Sequence, residues 1–213
     1  MNILIGLAGL ILVIIFVALA WRFASRRASV PCPVWLRWSV EADNPLSGIN
    51  RASVIVKRLD LQPGMKVLDL GCGPGRLTIP IAKQLGAHGE VVAVDIQGGM
   101  LRQAQKKAQA ARLTNVQFLQ VSAGEGKLPR SQFDRAVLVT VLGEIVDREA
   151  ALQEVFDSLK PGGFLSVTET VLDPHFQTRG AVLRLARTAG FVERAFYGSR
   201  FSFTLNLEKA LGG

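Results

Sequence analysis

From residue 66 onward the chain alternates short, almost wholly apolar runs with longer amphipathic ones. Runs at 66–70, 91–95, 116–121, 133–139 and 164–169, rich in Val, Leu, Ala and Phe, predict strands. Between them, 77–85, 99–111, 148–159 and 182–189 carry apolar residues at helical spacing. Pro80 is tolerable near a first helical turn, and Gly190 suits a C-cap. The stretch 99–111 is rich in Ala, Lys and Gln, which gives one buried stripe and one wet face. Strand runs such as VVAV and AVLV have no polar side, the pattern of a parallel sheet covered by helices on both faces. The last two apolar runs, 191–197 and 201–207, are too close for a crossover helix, so they pair antiparallel. The pattern predicts an α/β fold: a doubly wound, mostly parallel seven-stranded sheet with a C-terminal antiparallel hairpin. Upstream, Ile49, Ala52, Val56 and Leu59 fall on one helical face until Pro63-Gly64 ends the periodicity.

The first residues break the alternation. Residues 3–21, ILIGLAGLILVIIFVALAW, carry no charge, and Arg22, Arg26 and Arg27 follow. About 20 apolar residues rise roughly 30 Å as a helix, enough to span a hydrocarbon core. Trp21 lies where an interfacial aromatic belongs, and the arginines place everything after them on the cytoplasmic side. Ala18-Leu19-Ala20 imitates a signal-peptidase site, but no basic segment precedes Ile3. The expected organisation is an N-terminal transmembrane anchor with a basic flank over 1–28, a linker and helical cover over 29–62, and the α/β domain over 63–213. The expected location is a single-pass membrane protein with its domain in the cytoplasm.

Charge and cysteines add less. The 213 residues have a formal net charge of +8, with arginines near the anchor and in the last third. Anionic lipid headgroups suit that balance, and nothing reads as a nucleic-acid module. Cys32 and Cys72 are too few for a disulfide scaffold and form no metal-ligand spacing, so no metal is expected.

The chemistry sits in KVLDLGCGPGRLTIP. In doubly wound sheets ligands lie beyond the carboxyl ends of strands, where strand order reverses. Gly71, Gly73 and Gly75 permit a tight turn with no Cβ in a ligand's way. A Walker loop is excluded, because no Gly-Lys-Ser/Thr follows. The dinucleotide fingerprint G-x-G-x-x-G is missed, since Arg76 stands at its last glycine. Asp69 would repel a pyrophosphate and suit a cationic group. Asp95 ends the second strand, where a carboxylate can accept both hydroxyls of a ribose. Together they describe a ligand with an ammonium or sulfonium at one end and a ribose at the other.

DLGCGPG preceded by VL, then VVAVD, then VLGEIVDREAALQEVFDSLKPGGFLSV, resembles the class I S-adenosylmethionine-dependent methyltransferases over about residues 64–207. In motif style it is similar to the small-molecule and quinone-pathway C-methyltransferase branch, here with an added N-terminal membrane anchor. The resemblance implies S-adenosyl-L-methionine as cofactor. Asp69, Gly71, Cys72, Gly73 and Gly75 would surround its methionine portion, Asp95 its ribose, and Ile96 and Met100 the adenine or its ribose. Family members commonly carry GDAxxLP after strand three; this chain has VSAGEGKLP. Ser122 takes the place of that aspartate, Ala123 could donate its N–H to the ring, and Glu125 could point away. Val141 and Leu142 would border the cofactor. Where Gly143-Glu144 stands, family members often have His-His.

Methyl transfer from a sulfonium needs alignment and exclusion of water, and a base only if the acceptor must lose a proton. His175 and Glu144 are the candidates for that base, with Glu169 and Asp173 adding carboxylates near the same mouth. His88 lies in a turn at the opposite end. The expected acceptor is a small molecule, a membrane lipid or a quinone-like compound, approached from the membrane and covered by a segment holding Trp35 and Trp38. Two alternatives stay open: a membrane-tethered binding or scaffold protein of the same fold, and a nicotinamide-dependent oxidoreductase, against which Asp69 and the glycine spacing count.

Overall fold

The computed structural model describes residues 48–210, together with Gly6, Gly9, Val13 and Phe16, which are helical. A short 3-10 turn, Gly48–Asn50, leads into α1 (Ala52–Arg58). There follow β1 (Lys66–Leu70), α2 (Thr78–Leu85), β2 (Glu90–Val94), α3 (Gly98–Ala110), β3 (Val116–Leu119) and β4 (Phe133–Val139). The chain continues through α4 (Arg148–Ser158), β5 (Leu159–Thr170), α5 (Arg179–Thr188), β6 (Val192–Gly198) and β7 (Ser202–Glu208).

The strands form one seven-stranded sheet in the order β3-β2-β1-β4-β5-β7-β6. β1 pairs in parallel with β2 and β4. β7 lies antiparallel between β5 and β6. Strand order therefore reverses beside β1, and its carboxyl end opens a crevice toward β4.

Two apolar layers hold the sheet. One joins α1 and α2 to Val67, Val91, Val137 and Phe164, with Ile55, Leu59, Ile81 and Leu85 inaccessible to solvent. The other packs α4 and α5 on Leu68, Val94, Leu138 and Val167. This two-sided burial explains the unbroken apolar strands. Arg135 ties α1 down from β4: its Nε donates to Leu59 O at 2.8 Å, and its guanidinium lies 4.3 Å from the Phe164 ring centroid. β5 starts earlier than the sequence indicates, at Leu159, because Pro161-Gly162-Gly163 stays in the sheet. Gly162 N–H donates to Lys209 O, and Lys209 N–H to Gly163 O, each at 2.9 Å.

The membrane-related expectations are corrected. Among the described residues no helix is long and apolar enough to cross a membrane. The run at 1–28, apart from four positions, and the segment 29–47 with Trp35 and Trp38, lie outside the described residues. A transmembrane helix preceding the sheet, an added anchor, the membrane as a partner and a single-pass location with a cytoplasmic domain do not stand. They rested on the apolarity of one run, which establishes neither a helix nor its surroundings.

Candidate active site

β1 delivers Asp69 to the crevice almost fully buried, and Thr78 at the start of α2 donates its hydroxyl to Asp69 Oδ2 at 2.6 Å. Burial lifts this carboxyl to about 6, against the pull of the Thr78 hydroxyl and the charge of Arg76. The chain then turns. Gly71 and Cys72 both donate N–H to Val94 O, at 2.8 and 2.9 Å, which fastens the loop to the end of β2. Gly71, Gly73 and Gly75 adopt φ of +74°, +53° and +86°, a region that favours glycine. A Cβ on Gly71 would run into the Val141 side chain, so the loops after β1 and β4 touch there. Cys72 is buried, and its thiol is pushed up, first by burial and then by Asp69 and Asp95. Beyond the loop, Arg76 Nη1 donates to Asn50 O at 2.6 Å, joining α2's entry to the turn before α1.

Asp95 follows β2 and is more than passive lining. Its Oδ2 accepts Gly73 N–H at 2.9 Å and its Oδ1 accepts Gln97 N–H at 2.8 Å. Burial raises this carboxyl, with both amides pulling the other way. Each oxygen keeps a second lone pair, the acceptor capacity that a diol requires. Next to it Ile96 is 53% exposed, unusual for an isoleucine beside a crevice, whereas Met100 is buried against α3's packing side.

Ser122 and Ala123 are half-buried in the loop after β3. The residue that shapes this loop, Glu154 on α4, was missed. Its Oε2 accepts Gly124 N–H at 2.6 Å and its Oε1 accepts Leu128 N–H at 2.8 Å. The sequence signal was there: Glu154 shares the helical face of Ala151 and Val155, an odd place for a charge. Glu125 is exposed and pairs with Lys127 at 2.8 Å, away from the fold.

After β4, Val141 is half-buried and Leu142 has no exposure. Arg148 at the start of α4 donates to Leu142 O at 3.0 Å and to Gly143 O at 2.8 Å. The loop after β5 meets this one closely, since a Cβ on Gly143 would overlap the His175 carbonyl. His175 is 5% exposed, with Nδ1 3.8 Å from Glu144 Oε1 and 3.9 Å from Asp173 Oδ1. His175 and Glu144 therefore share one rim, a short step from the glycine loop through Val141. Among the described residues no group of three or more His, Cys, Asp or Glu could hold a metal ion. A groove of about 570 Å³ between α1 and β6 is lined by Ser53, Val54, Lys57, Arg58 and Tyr197, none of them a candidate residue.

The donor set fits S-adenosylmethionine: a tight turn of three positive-φ glycines, a buried carboxylate on the strand before it, a carboxylate after the next strand with acceptor capacity to spare, and an exposed apolar residue beside it. The fold and this crevice define the class I S-adenosylmethionine-dependent methyltransferases, whose cofactor is S-adenosylmethionine. Residues 61–190 match the family described as "Methyltransferase domain", and the chain belongs to that family. It is 35% identical over 145 residues to the ubiquinone/menaquinone biosynthesis C-methyltransferase UbiE of Proteus mirabilis (strain HI4320), covering 66% of this chain and 51% of that protein. The chain spans about half the length of the curated relatives it matches. Its fold is similar to a SAM-dependent methyltransferase from Aquifex aeolicus, with a TM-score of 0.73 at 21% identity, covering 83% of this chain and 98% of that one. The [4+2]-cyclase SpnF is also similar, with a TM-score of 0.68 at 19% identity over 76% of this chain and 81% of that one. This fold therefore hosts more than one reaction, and the acceptor has to be argued from the site.

Proposed function

We propose that the chain moves the methyl group of S-adenosylmethionine to a carbon of a small quinone-like aromatic acceptor. The observation that carries this reading is the rim of Glu144 and His175 set beside a cofactor crevice in a chain 35% identical to a quinone-pathway C-methyltransferase. In this reading Asp69, Gly71, Cys72, Gly73 and Gly75 surround the methionine portion, with Cys72 contributing main chain. Asp95 holds the ribose. Ile96 covers one adenine face, and Met100 backs the wall behind it. Ser122 and Ala123 present backbone to the ring edge, and Val141 and Leu142 form the wall on the β4 side. The cofactor supplies a methyl group on a cationic sulfur. The chain supplies alignment of the acceptor, exclusion of water and a path for its proton. Glu144 and His175 orient the acceptor at the mouth.

The test is incubation of the full chain with methyl-tritiated S-adenosylmethionine and a panel of substituted phenols and hydroquinones, amines, phospholipid vesicles and protein extract. Label on ring carbon of the aromatic members is the expected result; label confined to amines, lipid or protein would replace the acceptor named here.

Asp69 adds a pH dependence. Its carboxyl is raised to about 6 in the unliganded fold. An ammonium bound nearby favours the ionised form and lowers that value, so binding expels a proton below pH 6. Affinity for S-adenosylhomocysteine is therefore expected to be flat above pH 6.5 and to fall by up to about tenfold per pH unit below 6. Calorimetry at pH 5 and 7.5 checks it. Asp69→Asn is expected to bind more weakly at pH 7.5 and to lose most of the dependence; an unchanged slope in that variant would remove Asp69 from the ammonium.

A further inference from the structure

The last residues of β5 are buried, and Glu169 is 1% exposed among them. Its Oε2 accepts Gln177 N–H at 3.0 Å. Its Oε1 is buried too, and has no hydrogen-bond partner among the described residues. A carboxyl oxygen left in that state is destabilising, a cost that an apolar side chain at this position would avoid.

Its surroundings are specific. The β4–α4 loop brings Glu144, α4 brings Arg148, and the β5–α5 loop brings Asp173, all within electrostatic reach. His175 lies between Glu144 and Asp173. The Arg148 guanidinium already donates to the carbonyls of Leu142 and Gly143. The unpaired oxygen thus lies at the carboxyl end of the sheet, under the same rim that borders the glycine loop.

Three acceptor chemistries can be weighed against this cluster. An anion would meet three carboxyl groups. An ammonium would hold those carboxyls ionised and leave none basic enough to take its proton. A neutral hydroxyl offers the unpaired oxygen the hydrogen it lacks. Resting on the aromatic-acceptor reading above, we propose that Glu169 Oε1 accepts the proton of an acceptor hydroxyl, which makes the acceptor a phenol or an enol. The O–H bond breaks, its electron pair stays on the acceptor oxygen, and the new bond is O–H on Glu169. The electron-rich ring carbon next to that oxygen then carries the nucleophilic charge. After gaining the methyl group, this carbon sheds its own hydrogen to water as a proton, and Glu169 returns its proton to the oxygen. The net change is C–H to C–CH3 with one proton released.

Burial dominates the titration of Glu169 and raises its carboxyl to about 8, with Asp173 and Glu144 adding to the rise and Gln177 N–H and Arg148 opposing it. Only the ionised fraction takes the acceptor's proton; it is minor near neutral pH and grows through pH 8, and it is basic enough to exchange protons with weakly acidic hydroxyls, which a surface carboxylate is not.

The test uses the full chain labelled with carboxyl-¹³C glutamate, with Glu169→Gln to assign the resonance. The Glu169 signal is expected to titrate well above the surface glutamates. It is expected to shift on adding 4-cyanophenol and to stay in place with benzonitrile or benzylamine. In the phenol and hydroquinone panel, Glu169→Gln is expected to lose about 100-fold in methyl transfer while its calorimetric affinity for S-adenosylhomocysteine is unchanged. An equal shift with benzonitrile, no shift with the phenol, a shift with benzylamine alone, or full transfer by the variant would each overturn the assignment. If the wild-type chain fails to bind S-adenosylhomocysteine, the cofactor reading falls, and the phenol response of the Glu169 resonance is still scored in the cofactor-free spectrum.

Discussion

Replacing Asp95 with alanine is expected to abolish measurable cofactor binding and also to weaken the fold. The sequence reading assigns this carboxylate to the ribose, so its loss should impair binding more than folding. The structure adds a folding cost to that expectation. Asp95 Oδ2 accepts Gly73 N–H and Oδ1 accepts Gln97 N–H, so it pins the glycine loop to the loop after β2. Alanine leaves both amides without their acceptor, at about 1–3 kcal/mol each if water does not replace it. Two ribose hydroxyls donating to a charged group contribute together about 4 kcal/mol, close to a thousandfold in affinity. Thermal melting separates the two effects. A ligand at a hundred times its dissociation constant stabilises the wild type by about 2.7 kcal/mol, and after a thousandfold loss it stabilises by about zero. The variant should therefore melt lower without ligand and gain nothing from S-adenosylhomocysteine. Asp95→Asn, which keeps one acceptor oxygen, should recover some of the melting temperature and less of the ligand response. A normal ligand-induced rise in Asp95→Ala would remove this residue from the cofactor site.

The same residue shows where sequence reading works and where it stops. A carboxylate after VVAV is visible as a strand-end acid, because strands buried on both faces leave it the first polar group. Its two backbone partners are not visible, since Gly73 is 22 positions away and meets it only once β1 and β2 pair. The buried stripe of α3, Met100, Leu101, Ala104 and Ala108, is legible from helical spacing. The start of β5 is not, because Pro161-Gly162-Gly163 carries a turn signature that pairing with Lys209 overrides. Loops depend most on distant groups. The conformation of VSAGEGKLP is set by Glu154 on α4, so counting along the motif leaves the register of Ser122 open. The apolar N-terminal run was the loudest signal in the chain, and it led to expectations that the described residues do not support. Glu169 shows the opposite bias: a glutamate in a strand-end motif reads as one more carboxylate at the mouth, while its unpaired, buried oxygen is a property of the packed fold.

The departure from the family at Gly143-Glu144 has its explanation in packing, and it gives the second large effect. Where family members often carry histidine after the fourth strand, this chain has glycine, and the space a side chain would fill is taken by main chain of the β5–α5 loop. A Cβ on Gly143 would overlap the His175 carbonyl oxygen and lie 2.6 Å from the His175 Cβ. The obstruction is backbone, which cannot swing aside as a long side chain can. His175 is held in place by its own N–H donating to Asp173 Oδ1 at 2.7 Å, and its carbonyl accepts Gln177 Nε2–H at 2.8 Å. Gly143→Ala must therefore push apart a pair of loops that are each anchored elsewhere, one by Arg148 and the other by these turns. Overpacking of this kind costs about 3 kcal/mol, and in a chain of this size that corresponds to a fall of roughly 9 °C in melting temperature. Gly180→Ala is the control: it is helical, has nothing within 4 Å of the added Cβ, and should be neutral or stabilising by roughly 0.5–1 kcal/mol. Because the displaced loops are the rim over Glu169, methyl transfer should drop in Gly143→Ala even at temperatures where it is folded, and by more than the affinity for S-adenosylhomocysteine, which in the proposed reading meets only Val141 and Leu142 of these loops. A folded Gly143→Ala with full activity would mean that the acceptor does not meet the rim of Glu144 and His175, and the acceptor end would have to be sought on another edge of the crevice.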